Sequence, residues 1–512
     1  MRGLLVVAAL TLLQACGASN APDAPGPGAG GHDPDSGVPG PASLTVSPAS
    51  QRVLAGSAAI ALQATLVGDE LPIGWLLIGP GTLGATAGAQ TTYTPPASVD
   101  AETVVTVLAS AGPGLTAAAM ITVAPSAAMT VTGRVVGPTG VALSGLTVGI
   151  AGKSAVTGAD GRFSIPGVVP PYDLNVVLAD ARVLVGRYEG LTRPDPTLVF
   201  LFLFTTGEPN TATISGTVSG GDEIGTAGEF TAAIFTTTDV RFDFTAIGVT
   251  PRNNPFTLPV SWFGPESITG AVHVLQFKTP GVGQPPTEYT GYGVHDGLSI
   301  GRGAAVEDAG VTLAVPRTAS IGGTVVPPEG YTVLSKSLTV ELAGLTAVPL
   351  GHVDTADTVF AFAVPEGIDS TSAVTASAQK LGGGTTLRRV SGIAPRQADV
   401  SLVLPSPGLQ VAPADGATGV SDATIFSWTP LEHGVHVLVF EGEGASDPEI
   451  YVVTAGTSTR VPGFPGGSRY HWLVGGFGPF DTVDAFTGGA NLFRTLGDEF
   501  QTVSESRTFE VE

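Results

Sequence analysis

The chain has 512 residues, of which 71 are Gly and 41 are Pro, and only 13% are charged. That composition excludes long helices and coiled coils, while a hydrophobic fraction of 43% supplies enough apolar surface for packed cores and so excludes wholesale disorder. Twenty-two basic residues against 44 acidic ones leave a net charge of −22, which repels phosphate backbones and argues against a nucleic-acid partner. What fits is an all-β chain of short strands and frequent turns.

The amino terminus begins Met1-Arg2-Gly3 and continues with an apolar run from Leu4 to Leu13, then Gln14-Ala15-Cys16. A positive start and about ten apolar residues make a secretory signal, too short for a membrane span of ~20 residues. Leu13-Gln14-Ala15-Cys16 resembles the lipobox of bacterial lipoproteins, and Cys16 is the only cysteine of the chain. The resemblance implies cleavage after Ala15 and acylation, palmitate included, of Cys16, the lipidation site. Two or three acyl chains hold a protein on a membrane essentially permanently. Gly17 stands where some bacteria use Asp for inner-membrane retention, so the expected location is the outer membrane, on its surface or periplasmic face. Residues 17–42 contain seven Gly and six Pro and no Lys or Arg. They read as a tether with a root-mean-square span of about 28 Å.

From Ser43 the pattern turns to period-two alternation. Residues 43–125 carry Ile73-Gly74-Trp75, Gly79-Pro80-Gly81 and Tyr93-Thr94-Pro95-Pro96, and resemble bacterial immunoglobulin-like domains with a Trp in the core. Three openers follow: Val131-Thr132-Gly133-Arg134-Val135, Ile214-Ser215-Gly216-Thr217-Val218 and Ile321-Gly322-Gly323-Thr324-Val325. Their closers are Phe163-Ser164-Ile165-Pro166, Phe256-Thr257-Leu258-Pro259 and Phe362-Ala363-Val364-Pro365. They define repeats over 128–205, 211–316 and 318–405, in which the Gly permits close packing or a bulge and the Pro ends a strand. The first repeat, with Asp160-Gly161 as a turn, resembles the carboxypeptidase regulatory-like domain, a sandwich of transthyretin type without protease chemistry. Residues 408–512 hold Phe426-Ser427-Trp428 and Tyr470-His471-Trp472 and resemble a fibronectin type III-like domain whose two Trp strands face each other. The expected whole is a tandem array of about five β-sandwich modules after a lipoprotein signal and flexible linker, a monomeric stalk reaching on the order of 150 Å if strung in line.

Chemistry is sparse. Gly297-Leu298-Ser299-Ile300-Gly301 matches the G-x-S-x-G of serine hydrolases, with His295 and Asp296 before it, but no amphipathic helix follows. A Gly-rich turn is the competing expectation there. Gly152-Lys153-Ser154 lacks the first Gly of a phosphate-binding loop, since position 147 is Thr. The histidines have no zinc spacing, with His433 expected in a turn and His436 on a strand, and no calcium loop appears. No catalytic residue, metal site or cofactor is expected. The most suggestive stretch is an insertion of roughly thirty residues in the last unit, with Phe477, Phe480, Asp481, Phe486, Phe493 and Phe500. These residues read either as a binding loop for a glycan or protein ligand or as a cluster packed beneath the loop, the second being favoured. The expected function is a non-enzymatic, lipid-anchored envelope stalk of structural or ligand-binding role. Its rivals are a serine hydrolase using Ser299 and His295 and a periplasmic envelope-assembly factor.

Overall fold

The computed structural model describes residues 43–512 except 58, 69–70, 97–98, 100, 113–114, 126–127, 139, 181, 203–208, 223–227, 238–245, 249–254, 282, 343–345 and 489–497. Cys16 therefore lies outside the described residues, as does Phe493. No helix among the described residues is long and apolar enough to cross a membrane. The chain is all-β and builds five sandwiches in succession.

In the first, two four-stranded sheets enclose a core that includes Trp75, Tyr93, Val105, Val107 and Ile121. Trp75 Nε1 donates to Gly88 O at 2.7 Å and the Tyr93 hydroxyl to Pro80 O at 2.7 Å, so each large ring buries its body and satisfies its polar end. The strands alternate as the sequence alternates: Ser43–Ser47 buries Leu44 and Val46 and exposes the other three residues.

The second, third and fourth sandwiches share one topology. In each, the opener pairs antiparallel with the closer strand and parallel with the last strand of the repeat. Each second layer has the same strand order: Lys153–Val156, Thr147–Ile150, Tyr172–Ala179, Val183–Leu191 in the second sandwich is matched strand for strand in the other two. The opener glycines are explained by close approach. A Cβ on Gly133 would collide with Phe163 and Pro196 O, on Gly216 with Phe256 and Ala309 O, and on Gly323 with Phe360 and Val400 O. Only Gly lets a ring and a carbonyl close over the strand at that point.

Two expectations need correction here. The residue opposite Gly323 is Phe360, not Phe362, so the third closer begins two residues earlier than the Phe-x-x-Pro pattern suggests. The prolines do not end their strands either: Pro259 lies inside Pro255–Trp262 and Pro365 inside Val359–Glu366. Both are edge strands, whose outer side needs no N–H donor.

The larger correction concerns arrangement. The fifth sandwich does not follow the fourth at the end of a line; it lies between the second and the fourth. Val183–Leu191 of the second pairs in parallel with Glu449–Thr454 of the fifth, Leu184 opposite Glu449 through Tyr188 opposite Val453. On its other side Glu499–Val503 pairs antiparallel with Thr385–Ile393 of the fourth, Leu387 opposite Gln501. One fourteen-stranded sheet thus runs through three sandwiches. The third packs on the fourth, placing Ile234, Leu275 and Tyr289 in a core with Leu338, Val340 and Val348. The 150 Å reach of five units in line does not apply to a body joined in this way.

Candidate functional site

The insertion of the fifth sandwich is where the units meet. Among its described aromatic residues, Phe486 is buried, Phe477 and Phe480 are half-buried, and all three pack on the core of the second sandwich. Phe480 and Phe486 meet edge to face at 5.4 Å between centroids. Phe500 is buried in Glu499–Val503, the strand that joins the fourth sandwich. Asp481 is exposed and pairs with His433 Nδ1 at 2.9 Å, while His433 O accepts from Phe480 N at 2.8 Å. His433 occupies a turn with φ of 52° and His436 a strand, both as expected.

The residue that organises the insertion is Asp484, which sequence reasoning missed. It sits in the one-turn helix Val483–Phe486, whose start is capped by Thr482 Oγ1 accepting from Ala485 N at 3.1 Å. Its carboxylate accepts from Thr192 N at 2.9 Å, Thr192 Oγ1 at 2.8 Å and Arg193 N at 3.3 Å, all in the second sandwich. Arg52 of the first sandwich completes the set at 2.7 Å and also pairs with Glu102. Arg193 returns a bond to Asp484 O at 3.0 Å. Three sandwiches therefore converge on one half-buried carboxylate. Its donors are a guanidinium, a hydroxyl and backbone amides, so the site is filled by the protein itself. The only forewarning in sequence was Thr482-Val483-Asp484, too short to distinguish from a polar loop.

A second joint lies along the same pair of sandwiches. Arg182 Nε donates to Asp447 O at 2.6 Å, its Nη2 donates to Gly442 O at 2.8 Å and Gly444 O at 3.1 Å, and its Nη1 pairs with Glu449. Asp447 in turn accepts from Gly444 N at 2.8 Å and Ser468 Oγ at 2.9 Å, which holds the receiving loop in shape. Tyr188, Tyr451 and Phe200 close the shared core beneath it.

At the seam with the fourth sandwich, Arg389 and Glu341 form a fully buried pair at 2.6 Å. Thr371 Oγ1 donates to the other carboxylate oxygen at 2.7 Å. Glu499, opposite Arg389 in the ladder, has its pKa raised by burial, an effect that the Arg389 charge partly offsets. Within the fifth core His436 stacks edge-on against Trp428 at 5.4 Å and neither ring nitrogen makes a well-formed hydrogen bond. Burial pushes its pKa down to about 4, nearby backbone groups offsetting part of the effect.

The remaining sequence candidates are placed as follows. Ser299 is exposed near the end of the strand Glu288–Gly301, still paired in the ladder opposite Thr269, so no strand-to-helix elbow holds it. The expected turn is instead a bulge: Asp296 and Gly297 interrupt the ladder between the pairs Val272–His295 and Gly270–Leu298, with Gly297 at φ 73°. His295 Nδ1 contacts Gly310 O at 2.9 Å rather than Ser299. Gly152-Lys153-Ser154 follows Ala151 in a tight hairpin, and Lys153 Nζ donates to Pro166 O and Gly167 O. Among the described residues no three His, Cys, Asp or Glu side chains converge as a metal site would require.

No known family model matches the chain, and no curated protein matches it. Similar solved structures include the TIE protein of Bacillus anthracis, at 9% identity over 71% of this chain and 74% of that one, with a TM-score of 0.14. A protein of Bacteroides ovatus described as a candidate adhesin is 9% identical over 40% of this chain and 99% of its own, with a TM-score of 0.16. The shaft pilin SpaA of Lactobacillus rhamnosus GG is 11% identical over 40% and 100%, with a TM-score of 0.11. Likenesses at these TM-scores carry no argument about this chain.

Proposed function

We propose that this chain is a lipid-anchored structural or adhesive protein of a bacterial envelope, held by acylated Cys16 at the outer membrane and carrying a stapled β-sandwich body on the tether 17–42. The observation that carries the reading is the position of the only cysteine, directly after Leu4–Leu13 and Gln14-Ala15 in a chain whose later sandwiches do without disulfides. The body supports a mechanical role. Its insertion spends its polar and aromatic groups on holding sandwiches together, as a load-bearing or display scaffold requires, and Ser299 has no base beside it. In this reading the three repeats are carboxypeptidase regulatory-like modules and the last is fibronectin type III-like, with any glycan or protein ligand bound on outward sheet faces and end loops.

The test is protease shaving of intact cells expressing wild type and Cys16→Ala, with mass spectrometry of released and retained peptides. Release of peptides from 43–512, with an acylated Cys16 left on wild-type cells, is the expected result. Protection until the outer membrane is opened favours the periplasmic assembly factor. An unacylated amino terminus, or wild type and Cys16→Ala fractionating alike, overturns the anchor.

A further inference from the structure

The main path of the fourteen-stranded sheet has two ends, and an edge strand offers unpaired backbone groups to any strand that reaches it. At one end Lys153–Val156 is only four residues long. Lys153 stands at its start with Nζ donating to Pro166 O and Gly167 O, and a short strand with a lysine is a poor template. The other end, Thr346–Val353 of the fourth sandwich, is eight residues long, and burial of Val348 and Leu350 holds it firmly. Part of this edge is blocked by its own sequence: Pro349 has no N–H, and a bulge interrupts the ladder between the pairs Leu338–Gly351 and Thr339–Pro349. The rest is covered by the third sandwich. There the connection between Ser267–Lys278 and Glu288–Gly301 reaches across, and His352 N donates to Gly283 O at 2.9 Å. Beside it a Cβ on Gly351 would lie 2.5 Å from Gln284 C and 2.5 Å from Pro285 N, so only Gly lets the connection come this close.

We propose that residues 283–286 are a guard that ends the fourteen-stranded sheet, and that the edge Thr346–Val353, once uncovered, pairs with the same edge of a second copy. Three features fit a guard. The connection holds its own shape, since Thr279 Oγ1 lies 2.9 Å from both Gly281 O and Gln284 O, and Gln284 N donates to Gly281 O at 3.1 Å. It covers the strand without becoming a new edge, because Pro285 and Pro286 have no N–H to offer a further strand. It also acts where the strand's own devices stop: Pro349 and the bulge spoil the first part, and His352 in the second part has an N–H that points out of the sheet to Gly283. The edge needs a guard because its eight residues, Thr-Ala-Val-Pro-Leu-Gly-His-Val, include no Asp, Glu, Lys or Arg to keep a copy away. A second copy is the occupant because identical edges meeting antiparallel match donors to acceptors on both sides, the self-complementary contact of a two-fold dimer. The inference does not depend on the anchor.

The experiment uses the full chain with Cys16→Ser, so that acyl groups contribute nothing. Gly351→Val puts a branched side chain, which suits a strand, where Gln284 and Pro285 lie, and so expels the guard. Sedimentation velocity across about 1 to 500 μM follows the association. Wild type is expected to stay monomeric, and Gly351→Val to dimerise at a concentration at least about tenfold lower than wild type. Adding His352→Pro removes the outward N–H at a position where an edge strand tolerates proline, and is expected to return the chain to monomer. A proline does not repair a damaged fold, so this rescue separates edge pairing from aggregation. Gln284→Gly with Pro285→Gly loosens the guard without touching the strand. Exchange of the His352 amide is then expected to quicken at least about tenfold, with dimerisation in the same direction. A chain whose His352 amide is freed yet stays monomeric, association that His352→Pro leaves unchanged, or a wild type that dimerises as readily as Gly351→Val overturns the proposal.

Discussion

The first and fifth sandwiches are built from similar numbers of strands, yet they use their sheets in opposite ways. In the first, each strand buries one row and leaves the other to solvent, so Val105 and Val107 are core while Val104 is half exposed on the neighbouring row. In the fifth, Val435–Gly442 buries both: Leu438 and Phe440 face its own core, and Val435, Val437 and Val439 face the core of the second sandwich. The first is a module that stands by itself and is fastened to the others through Asp484. The fifth is completed only by its neighbours, and that is what makes it a keystone rather than a terminal bead.

The sharpest way to break this comparison is to place the same charge on the outward row of both. Val437→Asp buries a carboxylate with no partner between two sandwiches and is expected to cost at least about 4 kcal/mol, or to prevent docking altogether. Val104→Asp, on the free face of the first sandwich, should cost less than about 0.5 kcal/mol in dilute solution. Denaturant unfolding followed by tryptophan fluorescence measures both, and similar costs would mean that the fifth sandwich is not covered as described.

Next in size is Arg389→Ala, which strands Glu341 in a buried seam and should cost about 3–5 kcal/mol. Replacing the pair together, Arg389→Met with Glu341→Leu, should recover most of that loss, while removing the exposed Arg317 partner of Glu366 should change almost nothing. Calorimetry of the three variants beside wild type separates an ion pair that closes a seam from one that merely decorates a surface.

The fifth core should also be the acid-sensitive one. His436 has a folded-state pKa of about 4 against an ordinary value of 6.5, so the unfolded chain binds a proton in that window and the folded chain does not. Stability is therefore complete above about pH 6.5, falls as the pH drops towards 4, and levels off below, a total of about 3 kcal/mol. Glu189 and Glu499, raised by burial, act in the opposite direction, so the readout is the difference between wild type and His436→Leu. The variant should lose this part of the slope and be at least as stable at neutral pH, because no well-formed hydrogen bond is given up. An unchanged slope would place His436 in contact with water.

The smallest effect is expected at the junction. Asp484→Asn keeps an acceptor for Thr192 but loses the charge facing Arg52, a change of about 1–2 kcal/mol that added salt should mimic in part. Pulsed spin-label distances between the first and fifth sandwiches should broaden while the first keeps its own unfolding transition. Unbroadened distances would mean that something other than this carboxylate fixes the first sandwich.

The sandwiches themselves were legible because their signals are local. Trp75 and Tyr93 mark one core, Trp428 and Trp472 another, and the three opener glycines mark a repeat whose strand pairings proved identical. The joints were not legible. Leu184 and Glu449 pair across 265 positions of sequence, and nothing in either strand names the other. A signal did exist: Val435-His436-Val437-Leu438-Val439-Phe440 places large apolar residues at both parities, the mark of a strand buried on both faces, whereas Ser43–Ser47 alternates. Read for its period, that run announces a covered outer face without saying by what. Asp484 gave less, since a single acid in one helical turn has no signature until its donors from two other sandwiches surround it.

The central claim is that the fifth sandwich pairs with the second across the parallel strands Val183–Leu191 and Glu449–Thr454. Val185 and Ile450 are ladder partners, about 4.8 Å apart as neighbouring strands are, which is within reach of a disulfide. The most direct measurement is oxidation of a dilute Val185→Cys, Ile450→Cys chain with Cys16→Ser, followed on a non-reducing gel. The account predicts rapid closure of an intramolecular loop of about 265 residues, seen as a faster-migrating monomer with no free thiol. Two thiols that stay free, or that join only between different copies, would contradict it and return the chain to a line of separate beads.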